Sequence, residues 1–238
     1  MEEMKVIRGN NCIHLFSGGL DSTYCLFKLC KELEERSEAS NVQPIFMDYG
    51  QFASIAEWNS VRRVTEFIRS ELLNHSVLKD PIILNSRSDL FIWSKSVAFT
   101  GVEAKDSTPE IENRNMVLLS ILYSYAIACA RNQGVPEAEF DVYSGFKDGE
   151  IGDCNTLFFD ALSELMKQYH QEYTMRFNLL PANLTRGKTY DKLKQLVKGS
   201  QPKLKTLLDL TVSCYSPING KACHNCWKCR KIAEEKLQ

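Results

Sequence analysis

Two segments of this 238-residue chain carry residue types whose spacing points to chemistry. The first is Ser17-Gly18-Gly19-Leu20-Asp21-Ser22, placed between a short apolar run (12–16) and a helical pattern. Two adjacent glycines allow a tight turn in which successive N–H groups aim at one anion. The following helix adds its positive amino end, and Ser17 and Ser22 add hydroxyl donors. A phosphate is the ligand this suits. The loop is not a Walker A motif, because no lysine sits in the turn. Its competing reading is an ordinary strand-to-helix turn with Asp21 or Ser22 as the helix cap. The second segment is Cys214-x8-Cys223-x2-Cys226-x2-Cys229. Two-residue spacers let neighbouring thiolates converge on one ion, and tetrahedral Zn²⁺ is the expected occupant. An iron–sulfur cluster is the alternative. Four protein ligands leave no open position, so the metal is expected to be structural. The surrounding Lys221, Lys228, Arg230 and Lys231 read most simply as a solvated face.

The elements that must position these residues follow from apolar periodicity. Strands are expected at 12–16, 44–47, 77–84 (broken by Pro81), 140–143 and 176–180, and helices at 22–35, 53–72, 115–131, 158–169 and 189–197. The 115–131 helix is apolar nearly all round, which predicts a central position. Strands alternating with helices imply crossover connections and an α/β, doubly wound, mostly parallel sheet covered on both faces. Ligands in such folds bind beyond the carboxyl ends of the strands. The glycine loop, Asp48-Tyr49-Gly50-Gln51 and the segment 144–153 all follow strands, so they should converge on one edge. The polar stretch 85–113 reads either as a lid or substrate loop or as a surface excursion. No internal repeat or low-complexity linker is visible.

Composition narrows the function classes. The formal net charge is −1, from 29 basic and 30 acidic residues, which disfavours a protein held to nucleic acid by phosphate neutralisation. The first ten residues carry two early acids and no apolar core of a signal peptide. The longest nearly uncharged stretch, 116–130, falls short of a bilayer span. A cytoplasmic protein without a membrane partner is the expectation. Of nine cysteines, Cys12, Cys25, Cys30 and Cys129 lie in apolar runs as small buried hydrophobes. Cys154 has no neighbouring base to make it a nucleophile and is expected to line or pack a pocket.

SGGLDS resembles the signature of the PP-loop ATP pyrophosphatases, which cleave ATP between its α- and β-phosphates. Together with Asp48-Tyr49-Gly50-Gln51, the Arg114-Asn115 pair opening a long helix, and the ending Ser213-Cys214-Tyr215 with Cys223, Cys226 and Cys229, it resembles QueC, the 7-cyano-7-deazaguanine synthase family. The likeness runs over nearly the whole chain. It implies a PP-loop catalytic domain over 1–200 and a helical, four-cysteine segment over 201–238. It also implies ATP, Mg²⁺, one structural Zn²⁺ per chain at Cys214, Cys223, Cys226 and Cys229, and a homodimer. Phe16, Ser17, Gly18, Gly19, Leu20, Asp21, Ser22, Thr23, Asp48, Tyr49 and Asn115 would surround ATP. Ser17, Asp21, Ser22, Arg114 and Lys188 would act on its phosphates. Lys188 reads equally well as a surface lysine at the start of a helix. The implied reaction converts 7-carboxy-7-deazaguanine to the nitrile with ammonia and two ATP, each activation turning a poor leaving group into AMP.

The departures lie in the substrate loops. Where the family carries Phe-Val-Pro-Gly-Arg-Asn, this chain has Glu110-Ile111-Glu112-Asn113-Arg114-Asn115. Where the family carries Ser-Gly-Tyr-Pro-Asp-Cys-Arg, it has Asp148-Gly149-Glu150-Ile151-Gly152-Asp153-Cys154-Asn155. Asn155 cannot replace the charge of an arginine that would pair with a carboxylate or phosphate. A second reading therefore keeps the adenylation but passes the activated deazapurine to a protein amine, as for QueC-like proteins of antiviral defence clusters. Two further readings, a tRNA-thiolation enzyme of the PP-loop class and a nucleotide-binding protein without catalysis, are disfavoured by the near-neutral charge and by the intact Asp21 and Ser22.

Overall fold

The apolar run ahead of the glycine loop forms the middle of a parallel sheet. The computed structural model describes residues 12–36, 41–73, 77–86, 114–149 and 154–236. Its strands are β1 (Cys12–Leu15), β2 (Val42–Asp48), β3 (Ile82–Asn85), β4 (Ala138–Lys147) and β5 (Tyr173–Leu180). They stand in the order β3-β2-β1-β4-β5, every neighbour pair parallel. The chain builds outward from β1 to β3, then returns to place β4 on the other side of β1. This reversal opens a crevice at the carboxyl ends of β1 and β4, where ligands of open α/β sheets bind.

Two prolines show how local chemistry shapes the β2–β3 edge. Pro44 lies inside β2, where a missing N–H would break a central ladder. Pairing with β3 proper begins only at Ile45–Ile82, after an isolated bridge between Val42 and Leu78. Between these points Pro81 holds the neighbouring chain off, and the Gln43 side chain donates to the Asp80 carbonyl at 2.7 Å instead. The expected 77–84 strand is therefore a bridge followed by a short strand.

Seven helices are described: α1 (Leu20–Arg36), α2 (Ser54–Phe67, running into a π-helical turn at Ile68–Leu72), α3 (Arg114–Asn132), α4 (Thr156–Tyr169), α5 (Arg186–Leu196), α6 (Gln201–Leu210) and α7 (Trp227–Lys236). Side chains of α3 and α4 form one core with Ile13, Ile45, Phe140 and Val142 of the sheet. On the opposite face α1, α2, α5 and α6 pack with Cys12, Phe16, Val42 and Phe46. Each fully buried Phe or Leu contributes about 1.5–3 kcal/mol relative to exposure. Leu204 and Leu207 tie the C-terminal α6 into this second core. The expectation of a central 115–131 helix is corrected: α3 covers one face, and Met116, Ser120, Ser124 and Ala128 remain exposed. Its polar serines fall on that outward stripe, so one-sided burial suffices. The stripe lines an open groove of about 590 Å³ shared with Leu165 and Tyr169 of α4. No described helix is long and apolar enough to cross a membrane. Most of the polar stretch 85–113, from residue 87 on, lies outside the described residues.

The closest approach between layers is at Gly145 in β4. A Cβ there would stand 2.6 Å from the backbone nitrogen of Ser22, so only glycine lets the strand lie against the first turn of α1. Gly145→Ala is expected to destabilise the fold by about 1–3 kcal/mol. That corresponds to a thermal midpoint lower by several degrees, at about 2–4 °C per kcal/mol for a chain of this size, measurable by circular dichroism.

Candidate functional site

The glycine loop occupies the crevice at the end of β1. Gly18 has φ +73°, the left-handed region, and a Cβ there would stand 2.6 Å from the Ser60 hydroxyl oxygen. That hydroxyl faces both the Gly18 carbonyl, at 2.9 Å, and the Leu210 carbonyl, at 2.7 Å. Its single proton is shared between them. The Val212 N–H donates to the Gly18 carbonyl as well, at 3.0 Å. The loop is thus anchored from behind by α2 and by the segment after α6. In front, the Ser17 and Ser22 hydroxyls lie 3.0 Å apart, and Ser22 donates to the Gly19 carbonyl at 3.1 Å. Phe16, Leu20 and Thr23 are buried beneath the loop and belong to its support. Both oxygens of Asp21 are engaged: one accepts from the Thr189 hydroxyl at 2.9 Å, the other pairs with the Lys147 ammonium at 3.2 Å.

A second group of side chains gathers at the end of β2. The Asp48 carboxylate accepts from the Gly50 N–H at 3.0 Å, shaping the turn. Gln51 accepts from the Tyr49 N–H at 3.0 Å and donates to the Met47 carbonyl and to Glu57, at 3.2 and 2.8 Å. Burial raises the Tyr49 phenol, against the opposing Arg114 guanidinium that also hydrogen-bonds to it. Tyr215 lies near the same groups. Burial pushes its phenol up to about 12, Arg114 opposes, and Tyr49, Glu57 and Cys226 add to the rise. Arg114 donates through Nε to the Asn115 side-chain oxygen at 3.2 Å, and buried Asn115 donates to the Cys154 sulfur at 3.0 Å. Cys154 is accordingly a packed thiol, as its sequence context suggests. Lys188 is exposed, with its ammonium on the Asn183 carbonyl at 3.2 Å.

The four late cysteines come together as their spacing predicts. Their sulfurs all lie within 4.8 Å of one another, with separations of 3.5, 3.9 and 4.0 Å for Cys214–Cys223, Cys214–Cys226 and Cys223–Cys229. A tetrahedron of ion–sulfur bonds about 2.3 Å long has edges of about 3.8 Å, so the group could hold a single metal ion. In a [4Fe–4S] cluster each cysteine binds a different iron, and in a [2Fe–2S] cluster two bind each, so four cysteines around either spread further apart than around one ion. Burial raises Cys214 and Cys229. At Cys223 burial is outweighed by the N–H donors of Asn225 and Cys226, at 3.4 and 3.3 Å, and the thiol falls to about 7.

Sequence patterns did not single out Ser60, Lys147, Glu57 or Tyr215. Lys147 does lie in the post-strand segment expected at this edge, and Tyr215 sits within the cysteine ending. The sequence profile described as "Queuosine biosynthesis protein QueC" matches residues 11–235. The chain belongs to the QueC family. Among its relatives are two proteins named 7-cyano-7-deazaguanine synthase. They come from Leptospira interrogans serogroup Icterohaemorrhagiae, serovar copenhageni (strain Fiocruz L1-130) and serovar Lai (strain 56601). Each is 30% identical over 227 residues, covering 92% of this chain and 84% of the relative. Of the positions where this chain departs from the QueC pattern, 110–113 and 150–153 lie outside the described residues. Asn155 is described: its side-chain oxygen accepts from the Phe158 N–H at 2.9 Å and caps α4. An asparagine that starts a helix stands where the family resemblance leads one to expect an arginine.

Burial raises the Glu57 carboxyl from its ordinary 4.5 to about 7, opposed by the Gln51 hydrogen bond and Arg114 and reinforced by Asp48. The folded protein therefore keeps this proton over a range in which the unfolded chain has lost it. The stability Glu57 contributes is full below about pH 4.5 and is lost as the pH rises to about 7. Glu57→Gln has no proton to lose. The wild type is expected to lose stability relative to Glu57→Gln across that interval and to level off above it, in denaturant titrations at several pH values. A constant difference between the two proteins would show that Glu57 titrates normally.

Proposed function

We propose that the chain is an ATP-dependent, AMP-forming ligase that adenylylates 7-carboxy-7-deazaguanine for attack by ammonia. The observation that carries this reading is the built loop at the β1–β4 crevice, where the Ser17 hydroxyl ahead of α1 and the Ser22 hydroxyl in its first turn lie 3.0 Å apart. Donors so arranged can receive the pyrophosphate charge that develops as the bond to the α-phosphorus breaks. Membership of the QueC family supports the substrate.

In the first half, a carboxylate oxygen of the substrate attacks the α-phosphorus of ATP and pyrophosphate leaves. Ammonia then adds to the acyl carbon and AMP departs, giving the amide. In the second half the amide oxygen attacks the α-phosphorus of another ATP and pyrophosphate leaves; departure of AMP and of both amide N–H protons then gives the nitrile. The two oxygens of the original carboxylate leave on two AMP molecules. Mg²⁺, when bound, supplies charge neutralisation at the phosphates. Ser17 and Ser22 hold the departing pyrophosphate, and Asp21 is the carboxylate placed to face its cation. Arg114, beside Tyr49 and Tyr215, is a cation that would meet the phosphates of ATP or the product pyrophosphate. The cysteine group holds one Zn²⁺ as a structural ion. Because Val212, two residues before Cys214, bonds the loop carbonyl, the metal stiffens the nucleotide site from behind. A second reading, transfer of the activated deazapurine to a protein amine, is supported by Asn155, which offers a helix cap where the family has a cation.

Mass spectrometry of purified protein with Mg-ATP and 7-carboxy-7-deazaguanine, with and without ammonium, tests these readings. Ammonium-dependent nitrile with two AMP per product is the expected outcome. Adenylate or amide alone, with mass added to a protein amine, would favour the second reading. Absence of AMP would overturn both. Metal analysis is expected to find one zinc per chain. Its removal by a chelator, or Cys229→Ser, is expected to lower both the thermal midpoint and ATP affinity. Zinc-free protein with unchanged ATP binding would remove the structural role.

A further inference from the structure

The phosphate loop has no lysine of its own, yet a polyphosphate bound there concentrates negative charge in a narrow crevice. β4 brings a cation to it. Tyr143 packs with the α1 side of the sheet and Phe146 with the other. Gly145 lies against the backbone of Ser22, and Lys147, two residues further, projects to the same first turn. Its ammonium reaches Asp21 at 3.2 Å, with side-chain exposures of 13% for the lysine and 24% for the aspartate. The other oxygen of Asp21 stays with Thr189 of α5. Lys188, the lysine that the family resemblance singles out, places its ammonium on the Asn183 carbonyl.

We infer that Lys147 is a polyphosphate-binding residue of this loop, neutralising Asp21 in the free protein and exchanging that carboxylate for a phosphate oxygen when the nucleotide enters. The inference rests on the reading of the loop as an ATP site. An ammonium held in a half-buried crevice needs an anion at all times, and exchanging one anion for another keeps it neutralised. Asp21, held by Thr189, is left with one oxygen free beside the phosphates, where it suits the Mg²⁺ that accompanies ATP.

Calorimetric titration of the full chain with inorganic pyrophosphate, in chelator and without divalent metal, isolates this exchange from catalysis. Under those conditions Asp21 competes with pyrophosphate for Lys147 and repels it. Asp21→Asn is therefore expected to bind pyrophosphate about tenfold more tightly than the wild type. Adding Lys147→Met to Asp21→Asn is expected to lose that gain, by about tenfold or more, whereas Lys147→Arg in the same background retains most of it. The double variant leaves no unpaired buried charge, so it is the decisive one, and its thermal midpoint checks that it folds. Equal affinity of Asp21→Asn with and without Lys147→Met would overturn the inference and leave the ATP reading standing. Failure of the wild type to bind either pyrophosphate or Mg-ATP would overturn the ATP reading and this inference with it.

Discussion

The reversal of strand order between β1 and β4 is the constraint from which the site follows. Parallel strands send all their carboxyl ends to one edge, and the reversal leaves one gap there that no crossover helix fills. Into it come the glycine loop after β1, the Asp48–Gln51 turn after β2 and Lys147 at the end of β4. The glycine loop and Tyr49–Gln51 lie beyond the hydrogen-bonded ladder, while Asp48 and Lys147 end their strands, paired with Asn85 and Leu180. The buried strands beneath leave little freedom for this edge to move, since β1 and all seven residues of β2 sit between two packed helical layers.

Polar and charged side chains at this edge fall into two groups with different surroundings. Asp21 and Lys147 form a partly shielded ion pair beside the loop, while Glu57, Gln51, Tyr49 and Arg114 gather at the end of β2. The first pair is poised to exchange partners. The second group is more tightly enclosed, and burial is the largest influence on both Tyr49 and Glu57. The two groups stand one strand apart along the sheet edge.

Much of the fold was legible because its signals are local. Apolar runs marked all five strands, and the glycine pair marked the start of α1. Cysteine spacing marked the metal group because short spacers leave few ways for the thiols to arrange. Pro81 was readable as a break, but not the compensating bond from Gln43 to Asp80 that lets Pro44 sit inside the sheet. The placement of α3 was misread because hydrophobicity along a helix does not show how small residues divide between core and surface. The pairing of Asp21 with Lys147 and the sharing of Ser60 between Gly18 and Leu210 were not legible at all. Each joins residues more than a hundred positions apart, and nothing in the local composition of either partner names the other.

The Ser60 hydroxyl joins segments near residues 18, 60 and 210 at one proton. Closing such long loops carries an entropic cost that grows slowly with the separation along the chain. During vectorial synthesis β1 and the glycine turn emerge early, but their carbonyl anchor does not exist until the region after α6 has left the ribosome. The loop's anchoring is therefore completed only after all five described strands have been made. A chain that stops before residue 210 would keep all five described strands while its glycine loop lacks the Leu210 and Val212 contacts.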